Sequence, residues 1–221
     1  ICFMMIQRVK YSIIAIVFLF FFSCKEKKPK TLFELTKNSG IDFLNKVEST
    51  KEFNIFSYRN FYNGGGVAIG DINNDSLPDV LMTSNTGANK LFLNKGNFQF
   101  EDISAKAGIE QIGRWNTGAV MADINSDGWL DIYICNAGYN KWKNKEGNAA
   151  FINNHDLTFT EKAKQYGLDE RGYTTHAAFF DYDLDGDLDM FLLNHSIHQN
   201  GMFAPRKNFI GTYDQLSGDR I

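Results

Sequence analysis

The fold class the sequence predicts is all-β: a partial β-propeller of four-stranded antiparallel blades with cation-binding loops, following an N-terminal signal or anchor segment. Three observations predict it. A phrase of the form strand, acidic loop, strand occurs three times along the chain. A second hairpin-like phrase follows each of the first two copies. With Phe at 20, Gly at 19 and Pro at 3, the composition favours short aromatic strands and tight turns over a helical bundle.

Gly66–Asn73 aligns with Gly118–Asn125, 52 residues on, and with His176–Asp183 a further 58 residues on. Each copy passes through an acidic loop into an apolar run: Val80–Met82, Ile132–Ile134 and Met190–Leu193. The second half of the unit reads as a hairpin, Leu91–Asn94, a turn at Lys95–Asn97, then Phe98–Glu101. Its counterpart is Ala150–Asn153, a turn around His155 and Asp156, then Leu157–Thr160. Gly108–Ile109 and Gly167–Leu168 close the two units, and the helix-prone stretches 104–108 and 161–167 are expected to be connectors. A lone four-stranded sheet leaves both faces uncovered, and radial packing of several such sheets removes the problem. The blade repeats are placed at 61–109, 113–168 and 172–221, inside a region of 31–221. Thr31–Ile41 resembles the Phe100–Ile109 ending and is expected to be the outer strand of the last blade. Propellers have about 4–8 blades, so the chain is expected to be part of a longer protein whose remaining C-terminal blades complete the ring.

The loops concentrate charge. Eleven of the 26 acidic residues fall within 71–79, 123–131 and 181–189, which hold no Lys or Arg, whereas elsewhere 15 acids face 23 bases. Such segregation builds negative potential at three small places. All three segments fit D-x-[DN]-x-D-x-x-x-D. Oxygen ligands are expected from Asp71, Asn73, Asp75 and Asp79, from Asp123, Asn125, Asp127 and Asp131, and from Asp181, Asp183, Asp185 and Asp189. The backbone carbonyls of Leu77, Trp129 and Asp187 complete each shell. Calcium takes about 6–8 oxygens and tolerates irregular geometry, so up to three calcium sites are expected. Zinc and copper call for His or Cys, which the loops lack. An EF-hand needs an acid at position 12 and flanking helices. Position 12 is Met82, Ile134 or Leu192, and the flanks read as strands, which excludes it.

Val67–Asp75 and Met121–Gly128 resemble FG-GAP/VCBS repeats, as in the propeller head of integrin α-subunits. Phe61–Gly66 and Phe179–Asp187 are similar to secreted bacterial VCBS-repeat proteins of the cartilage acidic protein group, which often carry an ASPIC/UnbV domain. The resemblance covers about Thr31 to the end, and implies calcium in the loops and a role in recognition or adhesion. No ASPIC/UnbV segment is visible in the chain. Ser76 stands where the repeat usually has Gly, which predicts a less easily formed first site.

Arg8 and Lys10 precede an uncharged apolar run from Tyr11 to Ser23, followed by Cys24 and the charged Lys25–Lys28. This is a secretory signal pattern, and the run is shorter than the roughly 20 residues of a membrane span. It resembles a bacterial lipoprotein signal, with 1–24 the signal, Cys24 the lipidated residue and 25–30 a linker. An uncleaved anchor helix is the alternative. Either reading attaches the protein to a membrane and exports the rest; the lipoprotein reading places it at the outer membrane or cell surface, held through a lipid anchor.

The remaining candidates carry less. Cys135 in a strand-like run is expected to be a buried small hydrophobe, and Cys2 precedes Met4 and Met5, both possible starts. His195 and His198 form H-x-x-H without a third ligand. His176, replacing Gly66 and Gly118, is expected to be a hydrogen-bonded structural histidine. Gly64–Gly66 lacks the phosphate-loop pattern and fits close backbone approach. Trp115, Trp129, Trp142, Tyr139 and Tyr173 are expected mainly in packing, with a carbohydrate or peptide surface as the alternative. No catalytic set is identified, and no basic run interleaved with aromatics argues for nucleic acid. The function expected is recognition of a protein or glycan ligand. The alternatives are the propeller part of a polysaccharide-acting hydrolase or lyase, and a spacer in a larger exported protein.

Overall fold

Alternating and doubly buried apolar runs become strands in the computed structural model, which describes residues 31–137, 147–195 and 218–220. The chain divides into two compact units, 1–37 and 38–221. Of the first, only 31–37 are described, without helix or strand; the expected signal 1–24, Cys24 and the linker 25–30 lie outside the described residues. No helix among the described residues is long and apolar enough to cross a membrane.

In the second unit, β1 (Val67–Gly70), β2 (Asp79–Met82), β3 (Lys90–Asn94) and β4 (Phe100–Asp102) form one antiparallel sheet in chain order. A single helical turn α1 (Ser104–Ala107) follows. The pattern repeats in β5 (Asn116–Ala122), β6 (Asp131–Asn136), β7 (Ala149–Asn153), β8 (Phe159–Glu161) and α2 (Ala163–Tyr166). A third sheet pairs β9 (Thr174–Phe180) with β10 (Asp189–Asn194). Leu192 bridges Arg220 as Met82 pairs with Lys90 and Ile134 with Ala149. Asp219 accepts from the Asn194 N–H at 3.1 Å, the place Asn89 takes toward Ser84 and Asn148 toward Asn136. Residues 219–220 therefore occupy the register at which the third strand of a blade begins. The molecule is all-β, a partial propeller of four-stranded antiparallel blades.

The two single-turn helices are connectors for a physical reason. Asp102 and Glu161 accept the N–H of Ser104 and of Ala163 at 3.0 and 2.9 Å, which starts each turn. Gly108 and Gly167 end it at φ 77° and 71°, a left-handed conformation that glycine adopts without cost.

Strand alternation sorts side chains between two cores. Ile132 and Ile134 of β6 pack toward Leu81, Leu91 and Leu93 of the first blade. Tyr133 and Cys135, the residues between, pack toward Ala177 and Leu192 of the third. Every residue of β6 is buried, so its apolar run is continuous rather than alternating. Cys135 is fully enclosed as expected, and burial pushes its thiol up from its ordinary value. The innermost strands meet backbone to backbone. A Cβ on Gly66 would lie 2.8 Å from Gly118 Cα, and one on Gly118 would lie 2.5 Å from His176 Nδ1. His176 is exposed and packs by this contact, with no side-chain hydrogen bond among the described residues, unlike the hydrogen-bonded role the sequence suggested.

Two further expectations change. Residues 31–50 contain no strand, so Thr31–Ile41 is not an outer strand. Instead the Ser39 carbonyl accepts from Phe100 N–H at 2.8 Å and Asn45 bonds Asn85 at 2.7 Å, laying this stretch along the first blade. Farther on, Phe53, Tyr58 and Phe61 meet Trp115 and Tyr173 in a third, aromatic cluster at the start of the innermost strands. Trp115 and Tyr173 are thereby core residues. His195 contributes its ring to the same cluster, with Nε2 3.1 Å from Tyr58 Oη, while His198, Tyr139 and Trp142 lie outside the described residues.

Candidate metal centres

Each acidic segment connects the first two strands of a blade: β1 to β2, β5 to β6 and β9 to β10. Because Gly66, Gly118 and His176 stack at the strand starts, the three loops fall at the other end, opposite the aromatic cluster. Strands, not helices, flank all of them.

The same hydrogen-bond scaffold builds all three. The first carboxylate accepts backbone N–H groups from across the loop: Asp71 from Asp75 at 3.1 Å and Ser76 at 2.6 Å, Asp123 from Asp127 at 2.9 Å and Gly128 at 2.8 Å, Asp181 from Asp185 at 3.2 Å and Gly186 at 3.1 Å. The fifth accepts from position 7: Asp75 from Leu77, Asp127 from Trp129, Asp185 from Asp187. Closure requires left-handed residues at positions 4 and 6. These are Asn74 and Ser76 at 58° and 68°, Ser126 and Gly128 at 58° and 86°, and Leu184 and Gly186 at 64° and 98°. Ser76 and Leu184 carry a side-chain penalty there that glycine does not.

The ninth-position carboxylates do more than face the loop. Asp79 Oδ2 accepts from Ile72 N–H at 3.0 Å, and its Oδ1 accepts from Asn94 N–H at 2.7 Å. Asp131 repeats this with Ile124 at 2.9 Å and Asn153 at 2.8 Å. Both are fully buried, and burial raises both above the ordinary carboxylate range, with the neighbouring loop acids pushing the same way. Asp189 accepts from Tyr182 N–H at 2.8 Å and is half-buried. Asp79 and Asp131 thereby latch their loops to the third strand of the blade, a role the sequence reading missed. A signal for it was present: Asn94 and Asn153 recur at the end of the third strand at the same offset.

The loops differ at position 3. Asn73 and Asn125 turn their amide nitrogens onto Asp75 and Asp127 at 2.9 and 2.8 Å. In the third loop Asp183 has no such donor, and one oxygen each of Asp181, Asp183 and Asp189 lies within 4.8 Å of the others. Asp187 sits beside Asp185, whose hydrogen bond and charge raise it. In the second loop Asp127 also meets His155 Nε2 at 3.1 Å, and the His155 ring stacks on Trp129 at 4.6 Å. Trp129 is half-buried rather than core. Oxygen-only donors, crowded acids and backbone N–H groups that fix the carboxylates fit a hard divalent cation. A separate cavity of about 270 Å³ beside Arg114, Asn148, Glu161, Lys164, Asp169 and Arg171 includes no loop acid.

Residues 71–134 match the model of an FG-GAP-like repeat. Cartilage acidic protein 1 of Xenopus tropicalis is 33% identical over 138 residues, 61% of this chain and 20% of that protein. Its Homo sapiens counterpart is 30% identical over 136 residues, 60% of this chain and 20% of that protein. Integrin alpha-PS3 of Drosophila melanogaster is 29% identical over 115 residues, 46% of this chain and 10% of that protein. The chain thus spans a fifth or less of the length of these curated relatives.

Proposed function

For a chain that carries an FG-GAP-like repeat, we propose a calcium-stiffened extracytoplasmic propeller module that recognises a protein or glycan ligand. The observation that carries the metal part is the third loop, where three carboxylate oxygens gather within 4.8 Å on a scaffold that the other two loops share. Asp181, Asp183, Asp185 and Asp189 hold the cation there, with Asp71, Asn73, Asp75 and Asp79, and Asp123, Asn125, Asp127 and Asp131, as the corresponding sets. The carbonyls of Leu77, Trp129 and Asp187 serve at position 7. Bound calcium neutralises carboxylates that otherwise repel one another across a few ångströms. The protein's own part is to hold the oxygens in place beforehand through the N–H bonds to positions 1, 5 and 9.

The recognition role is supported by the integrin and cartilage acidic protein likeness. Export and anchorage through Cys24 belong to the same reading. The metal part is tested by thermal unfolding and calorimetry of the metal-stripped protein. Calcium raises the melting temperature, as any ligand of the native state does; no heat and no shift would remove the reading. Glycan and protein arrays probed with the loaded protein test recognition, where turnover of a polysaccharide would replace binding with catalysis. Cell fractionation tests the anchor, since Cys24→Ala should move the protein from the membrane to the soluble fraction.

A further inference from the structure

We propose that the first and second acidic loops bind their cations as a coupled pair, with Asn153 as the positioning residue they share. This rests on the calcium reading above. Asn153 ends β7, and its N–H donates to Asp131 Oδ1 at 2.8 Å. Its side-chain Nδ2 donates to the Leu130 carbonyl of its own blade at 3.0 Å and to the Ile72 carbonyl of the neighbouring blade at 2.8 Å. Ile72 in turn donates its N–H to Asp79 Oδ2 at 3.0 Å. The backbone of one residue, Ile72, and one asparagine therefore connect the ninth-position carboxylates of two loops, and every member of the path is buried.

A second bridge runs between the loops themselves. Asn74 Nδ2 donates to the Gly128 carbonyl at 3.1 Å, from the left-handed position 4 of the first loop to position 6 of the second. The roots of the loops are also in contact, since a Cβ on Gly70 would lie 2.7 Å from Leu130 Cδ1 and 2.9 Å from Met121 Sδ. A cation that fixes Asp79 and its loop orders the Ile72 peptide, and through Asn153 it orders Asp131. The second cation then finds part of its ordering cost already met, which is positive cooperativity.

The third loop supplies the control. The second loop has the shorter Ser126 where the first has Asn74, and among the described residues no side-chain hydrogen bond joins 123–131 to 181–189. The first blade shows the half-formed version: Asn94 Nδ2 reaches the Pro78 carbonyl of its own blade at 2.9 Å and, among the described residues, no neighbouring loop.

Terbium, added to the metal-stripped full chain, reads the second loop selectively. Trp129 sits in that loop and sensitises terbium emission when excited at the red edge of the tryptophan band. Trp129→Phe, which keeps the position-7 carbonyl, assigns the signal. Disabling the first loop with Asp71→Ala is expected to weaken terbium binding at the second by roughly tenfold, within the usual range of coupling between sites. Asn74→Gly keeps the left-handed turn and the fold, and is expected to weaken it by roughly threefold; Asn153→Ala is expected to weaken it more. In the Asn74→Gly, Asn153→Ala background, adding Asp71→Ala should produce little further loss. Third-loop affinity, followed by calcium calorimetry, should stay unchanged throughout. Equal second-loop affinity in the parent and in Asp71→Ala would overturn the coupling while leaving calcium binding intact. Absence of both sensitised emission and calcium heat would overturn the calcium reading itself, and the coupling with it.

Discussion

Replacing Asp131 by Asn separates the architectural role of a loop carboxylate from its role toward a cation. Asp131 is 0% exposed and each of its oxygens accepts one backbone N–H, from Ile124 and from Asn153. Asn keeps the shape but offers only one oxygen, so its amide group must face one of the two N–H donors. One hydrogen bond is lost and two donors are left unsatisfied in a place that water does not reach. An unsatisfied buried polar group costs about 1–3 kcal/mol. Losing a desolvated charge, which burial already disfavours, offsets part of this. A net loss of about 2 kcal/mol is expected in metal-free protein, or roughly 4–8 °C for a chain of this size. Asp123→Asn is the matched control. Its carboxylate also accepts two N–H groups, from Asp127 and Gly128, but those donors are exposed and water replaces the lost acceptor. It should cost less than about 1 kcal/mol without metal. With calcium present both variants lose the stabilisation that the cation brings to the second loop. The assay is thermal unfolding of each variant in chelator and in calcium. If the two variants melt together in chelator, the latch argument is wrong and Asp131 is a ligand alone.

Three other outcomes are expected. The third loop, with five carboxylates against three in each of the others, binds calcium most tightly, because affinity rises with ligand charge; calorimetry on single-loop variants that ranks it weakest would refute this. Leu184→Asn raises the melting temperature by roughly 2 °C, since Asn tolerates the left-handed φ of 64° and a side chain 85% exposed gives up no packing; an unchanged or lower value in circular-dichroism melts would contradict it. Asp79 and Asp131 titrate above their unfolded values, so the stability they contribute is present below the ordinary carboxylate pKa and is lost as pH rises through the raised folded one. Calcium reverses that loss by binding the ionised forms, so its melting-temperature increment should widen from about pH 4 to about pH 7, and an increment flat with pH would refute the assignment.

What was legible in the sequence is what repeats. The three loops, their flanking strands, the second hairpins and the single-turn connectors were read correctly because each repeats a local requirement: buried apolar strand runs, a left-handed turn residue, oxygen-bearing side chains at loop positions 1, 3, 5 and 9. Cys135 and Trp115 were readable as core from their neighbours. The stretch 38–62 was not, because it occurs once. The likeness of Thr31–Ile41 to a blade ending rested on a few apolar letters and a Gly–Ile pair, whereas 38–62 lies along the first blade with its Phe53, Tyr58 and Phe61 in the aromatic cluster. Packing partners 50 residues away decide such a segment, and no local period reports them.

The ninth-position acids carry a second role that the sequence did not display, for a different reason. An Asp in a calcium-type pattern invites assignment by the ion alone, yet the geometry gives Asp79 and Asp131 two backbone donors each before any cation arrives. Those donors come from Ile72 and Asn94, or Ile124 and Asn153, at opposite ends of a folded loop and a strand. The requirement for a carboxylate there exists only once β2 lies beside β3, or β6 beside β7. Loop and blade are consequently one cooperative unit: the strand pairing that buries the ninth acid also aims it, and the cation stiffens a blade by acting on a group the sheet already holds. For the same reason a blade with its third strand paired differs from the β9–β10 hairpin, where Asp189 remains half-buried and accepts from Tyr182. Pairing of the third strand there, by placing a backbone N–H on the second Asp189 oxygen, would convert that carboxylate into the latch seen at Asp79 and Asp131.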